Sequence, residues 1–169
     1  NQNVSLDIQN PNLTANLSGT LGSNNWYTSA VLNASASDPA PGSGLSALEY
    51  SLDNGAWTAF PASGTLDLLT GVHDISIRAV DNAGRTVSSS RSYSLDGVLP
   101  NITLNPSGTI GTNNWYTTDL TLTASASDDI SGLDIFEYSL NNGAWTTYSA
   151  PLTLGNGTHT ISFWAQDKA

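Results

Sequence analysis

The chain has 169 residues, of which 38% are hydrophobic and only 11% charged. With 14 acidic against 4 basic residues its net charge is −10, so it has no basic stripe to displace counterions from nucleic acid or to hold an anionic membrane surface. It has no cysteine for a disulfide framework, and no apolar run near the roughly 20 residues with which a helix crosses a bilayer. There is no methionine either; Asn1 is therefore expected to lie inside a longer precursor, with any signal peptide outside this chain.

Taken in order, the pattern is strand after strand. Residues 1–7 match the tail of a unit's last strand, because Ser5-Leu6-Asp7 returns as Ser94-Leu95-Asp96. Leu13–Leu17 reads as a first edge strand and Tyr27–Ser37 as a second, followed by a Pro/Gly/Ser loop over 39–44. Glu49-Tyr50-Ser51-Leu52 alternates apolar and polar residues, the period of a half-buried strand. It then turns at Asp53-Asn54-Gly55, since a two-residue hairpin turn needs residues that tolerate positive φ. A return strand at Trp57, a short strand over Leu66–Leu69, an inward-alternating strand over His73–Val80 and a last strand over Thr86–Leu95 complete the unit.

The order then repeats. Asn24-Asn25-Trp26-Tyr27-Thr28 returns 89 residues on as Asn113-Asn114-Trp115-Tyr116-Thr117. Ala34-Ser35-Ala36-Ser37-Asp38 returns as Ala124-Ser125-Ala126-Ser127-Asp128, and the Glu49–Trp57 hairpin as Glu137–Trp145 with Asp53 replaced by Asn141. About seven short strands in roughly 90 residues is the pattern of an immunoglobulin-like sandwich. The expected fold is all-β: two tandem immunoglobulin-like β-sandwiches, residues 8–96 and 97–169. The second lacks its last strand, because Asp167-Lys168-Ala169 matches Asp81-Asn82-Ala83. Residues 1–7 are then the end strand of a preceding unit, or a donor strand: Asn1–Leu6 of one copy would fill the open groove of another by β-augmentation.

In that topology the loop after the second strand, the last hairpin turn and the incoming linker share one end of the domain. This gathers Asp7, Asp38 and Asp81 in the first unit, and Asp96, Asp128 and Asp167 in the second. Hard carboxylate oxygens suit Ca²⁺, which takes six to eight oxygen ligands. The competing use of such aspartates is to cap turn amides. Glu49 and Glu137 face away from the core, Glu49 within reach of Arg78 on the neighbouring strand. His73 and His159 hold one repeat position with no recurring nucleophile or second acid beside them, so they read as structural, satisfied by loop carbonyls. Trp26, Tyr27, Trp57 and their repeats could stack on sugar rings, but a small sandwich needs large side chains inside, which favours packing. Trp164 stands where the first unit has Arg78 and alternates outward.

Together these motifs resemble the bacterial immunoglobulin-like repeats found in tandem on secreted and cell-surface proteins. The resemblance runs through Trp26-Tyr27-Thr28, Ser43-Gly44-Leu45, the Glu49–Trp57 hairpin, Gly71-Val72-His73 and Arg78-Ala79-Val80-Asp81-Asn82-Ala83-Gly84. It implies an extracellular or cell-surface, non-enzymatic role in spacing, display, adhesion or filament formation, with neighbouring repeats as partners. An accessory carbohydrate-binding module of a secreted polysaccharide-degrading enzyme, with glycans as partners, is the alternative.

Overall fold

The computed structural model describes residues 3–169; Asn1 and Gln2, the first residues of the expected donor segment Asn1–Leu6, lie outside the described residues. The described fold is almost entirely β. It divides into two compact units, residues 3–97 with Ala169 and Val98–Lys168. None of its helices is long and apolar enough to cross a membrane.

The first unit begins with residues 3–11, which form no strand. Its strands are β1 (Asn12–Leu21), β2 (Tyr27–Ser37), β3 (Leu45–Leu52), β4 (Thr58–Ala59), β5 (Thr65–Asp67), β6 (Gly71–Asp81) and β7 (Thr86–Leu95). They run β1-β2-β7-β6-β3-β4, with β5 on β2. Only one parallel pair, Tyr27 with Leu95, joins β2 to β7. That single link lets the sheet fold over as two layers, β1-β2-β5 facing β7-β6-β3-β4. Leu32 from one layer meets Ile75, Ile77, Tyr93 and Leu95 from the other; Leu32, Ile75 and Ile77 are all 0% exposed. Alternation explains the choice: Ile75, Ile77 and Ala79 take one face of β6 while Ser76, Arg78 and Val80 take the other.

The second unit has two sheets: β8 (Asn101–Ser107), β9 (Leu120–Ser127) and β12 (Leu152–Leu154) in one, and β10 (Leu133–Leu140), β11 (Thr146–Thr147) and β13 (Ile161–Asp167) in the other. A 3-10 turn at Thr112–Asn114 precedes β9. Its buried hydrophobic residues are Leu122, Ala124 and Leu154, and half-buried rings cluster as well: Phe136 lies 5.8 Å from Phe163 and 5.2 Å from Tyr148 between ring centroids. The Tyr148 hydroxyl accepts the Ala124 amide at 2.8 Å.

Three details depart from the sequence expectations. β1 extends to Leu21, because β2 pairs with it residue by residue from Asn12 to Thr20 and, past a bulge, again at Leu21. The short strand is shifted to Thr65–Asp67, where it pairs with Val31–Asn33. The return strands β4 and β11 hold only two residues each, so the tryptophans beside them are edge residues. Trp57, Trp145 and Trp115 are 37%, 50% and 60% exposed, against the expectation that they pack. The buried residue of the hairpin is instead the serine: Ser51 Oγ donates to the Gly55 carbonyl and Ser139 Oγ to that of Gly143, both at 2.8 Å. Asp53 and Asn54, like Asn141 and Asn142, carry the positive φ of the two-residue turn.

Candidate metal centre

Three chain segments meet at one end of the first unit. Asp7 lies in the stretch before β1, Asp38 directly after β2, and Asp81 is the last residue of β6. One carboxylate oxygen from each lies within 4.8 Å of the other two.

Each side chain has a local reason to be there. Asp81 Oδ1 accepts the Ala83 and Arg85 amides at 2.9 and 2.8 Å, closing the β6–β7 turn in which Gly84 supplies φ +85°. Asp38 Oδ2 accepts the Gly44 amide at 2.7 Å and so folds the loop over 39–44 back on itself. Asp7 accepts the Gln9 amide on Oδ1 at 2.9 Å and the Ser43 amide on Oδ2 at 2.7 Å. These bonds, the Ser43 hydroxyl first, hold the Asp7 carboxyl below its ordinary value. Arg85 adds a distant positive charge and anchors the same stretch, donating to the Asp7 carbonyl and to Asn10 Oδ1, both at 3.2 Å.

Turn capping therefore uses one oxygen of Asp38 and one of Asp81. It leaves the others over: Asp38 Oδ1 and Asp81 Oδ2 are buried with no hydrogen-bond partner among the described residues. Asp81 as a whole is 2% exposed. A buried polar atom without a partner costs about 1–3 kcal/mol, and more when it is charged. Two such oxygens beside a third carboxylate form a donor set for a hard cation. Carboxylates alone, with no imidazole or thiolate, suit Ca²⁺ rather than Zn²⁺ or Cu²⁺.

The remaining three aspartates are distributed differently. Asp96 follows β7 in the first unit, its amide donating to the Tyr27 carbonyl, whereas Asp128 and Asp167 belong to the second. Asp128 Oδ1 accepts the Ile130 and Gly132 amides at 3.1 and 2.9 Å. Asp167 ends β13, opposite Leu133.

The other polar residues singled out in the sequence have structural partners. Arg78 Nε donates to Glu49 Oε2 at 2.7 Å. Its guanidinium carbon also lies 4.2 Å from the Trp57 ring centroid, a contact that spacing alone did not suggest. His73 bonds a loop carbonyl, Thr70 at 3.0 Å through Nε2, and through Nδ1 it meets Asp53 Oδ2 at 2.8 Å. In the second unit a cleft of about 720 Å³ is lined by Trp115, Asp119 and His159 among others. His159 there turns Nε2 to the Gly155 carbonyl at 3.2 Å and Nδ1 to Asn141 at 3.5 Å.

The His73–Asp53 pair predicts a pH dependence. The bond to Asp53, then that to Thr70, raises the His73 pKa above 6.5, and the reciprocal bond lowers that of Asp53 below 3.8. The stability His73 gains from the pair is fully present below pH 6.5 and fades as pH rises through the raised value; that of Asp53 is present above pH 3.8 and fades as pH falls through the lowered one. The first unit should thus melt higher at pH 6 than at pH 8. Asp53→Asn, the arrangement of the second unit, should shrink that difference and move the His73 ring titration down by NMR. An unchanged titration midpoint in that variant would refute the assignment.

No family profile and no curated protein sequence matches the chain.

Proposed function

We propose that the chain is a pair of immunoglobulin-like β-sandwich modules from an extracellular or cell-surface protein, acting as a spacer, stalk or fibre subunit, and that Ca²⁺ bound by Asp7, Asp38 and Asp81 stiffens the first module. The observation that carries the reading is the pair of orphaned buried oxygens, Asp38 Oδ1 and Asp81 Oδ2, in a three-carboxylate cluster. A cation there ties the chain entering β1 to the loop after β2 and to the β6–β7 turn. Three separate segments then move as one, which suits a module that bears load or holds a fixed spacing. The surface fits such a role: its polarity comes from Ser, Thr and Asn rather than from charge, and the strands carry long, regular ladders.

Bound only by the folded state, Ca²⁺ stabilises by mass action, about 2.7 kcal/mol at a hundredfold excess over Kd. Calorimetric titration of EDTA-treated protein should give a saturable heat, and millimolar calcium should raise the melting temperature of the first unit. Absence of both effects would overturn the metal assignment.

A further inference from the structure

The two hairpins differ at one point with chemical consequences. In the first unit β3 and β6 set Glu49 opposite Arg78. The guanidinium then seats itself between a carboxylate at 2.7 Å and an indole face at 4.2 Å. In the second unit the carboxylate and the indole are kept as Glu137 and Trp145, but the residue opposite Glu137 is Trp164. The cation is gone and a second indole stands in its strand position. The Trp145 and Trp164 rings are 6.5 Å apart at centroids and inclined at 64°. They are 50% and 43% exposed, and Glu137 makes no ion pair among the described residues.

We infer that Trp145, Trp164 and Glu137 form a receptor for the guanidinium of an arginine presented by a peptide or protein partner. The first unit shows that this pairing of carboxylate and indole accepts a guanidinium, since Arg78 bonds Glu49 and lies over the Trp57 ring. Charge complementarity agrees: an ammonium or guanidinium is drawn to an indole face, and to a carboxylate on a chain of net charge −10. Arginine is favoured over lysine because a planar fork can stack on one ring while bonding a carboxylate in its own plane. Two inclined indoles offer a face and a wall, whereas Trp57 offers only a face.

The test follows the indole N–H signals of Trp145 and Trp164 by NMR in the full chain, with capped arginine amide, capped lysine amide and a β-glucan oligosaccharide as probes. Capped arginine should give saturable shifts at both indoles, several-fold tighter than capped lysine. Glu137→Gln should weaken it by about tenfold, the loss expected for a charge-assisted hydrogen bond. Trp164→Arg, which rebuilds the first unit's internal pair, should abolish arginine binding without lowering the melting temperature, so that loss of binding cannot be ascribed to unfolding. Saturable shifts with the glucan but not with arginine would assign the face to sugars and overturn the proposal. So would undiminished arginine binding in Trp164→Arg.

Discussion

Replacing Ile77 by alanine is expected to cost the first unit about 2–5 kcal/mol, the range for truncating a fully buried aliphatic side chain. Ile77 is 0% exposed and stands mid-strand on β6, with Tyr50 across on β3 and Ser89 on β7. The upper half of that range applies where a site cannot collapse. Both flanks of Ile77 are pinned by ladders, and the facing layer brings Leu32, itself 0% exposed. Against a typical domain stability of about 5–15 kcal/mol, the change removes a large share. At about 4–8 °C per kcal/mol for a unit of this size, melting should fall by at least about 10 °C. Ile77→Val should cost only about 0.5–1.5 kcal/mol. Thermal denaturation of the three proteins checks the ordering, and a loss below about 1 kcal/mol in Ile77→Ala would mean that β6 is not the centre of the core.

The second large effect reverses sign with calcium. Asp81→Asn keeps the side-chain oxygen that accepts the Ala83 and Arg85 amides, so the β6–β7 turn should survive. It removes one negative charge from a cluster whose carboxylate oxygens approach within 4.8 Å, and it replaces the orphaned Oδ2 with an amide group. In EDTA the variant should therefore melt at or above the parent. In millimolar calcium the parent should overtake it, by up to about 10–20 °C if calcium is a hundredfold above Kd, from the 2.7 kcal/mol mass-action gain and the scaling above. Asp81→Ala should be worse than the parent under both conditions, since it also orphans two turn amides. Differential scanning calorimetry with and without EDTA distinguishes the three. Parallel curves for parent and Asp81→Asn in the two buffers would mean that the aspartates serve the turns alone.

How much of this was legible in the chain depends on range. The strands were, because alternation in β2, β6 and β7 and the Asp-Asn-Gly and Asn-Asn-Gly turns are local: a residue's neighbours at i±2 decide its face. The Glu49–Arg78 pair was also legible, since strand register brings one opposite the other. The exposed tryptophans were not. Their chemistry says interior, but for Trp57 and Trp145 a two-residue return strand places them at a sheet edge, and the length of a return strand depends on what it packs against rather than on its own residues. Nor did the polar pattern mark Ser51 and Ser139 as buried, because their partners are turn carbonyls that come within reach only once the hairpin has closed.

By itself, then, the sequence determined that the chain is all-β, where its turns lie and which aspartates end its strands and loops, since each follows from short-range backbone and periodicity rules. Only the tertiary structure decided how closely Asp7, Asp38 and Asp81 approach, within 4.8 Å of one another, and that two of their oxygens are buried without a partner among the described residues. It likewise decided that Arg78 covers the Trp57 ring, while Trp145 and Trp164 stay 50% and 43% exposed. Those facts depend on distances between side chains on different strands and loops, which no local rule encodes.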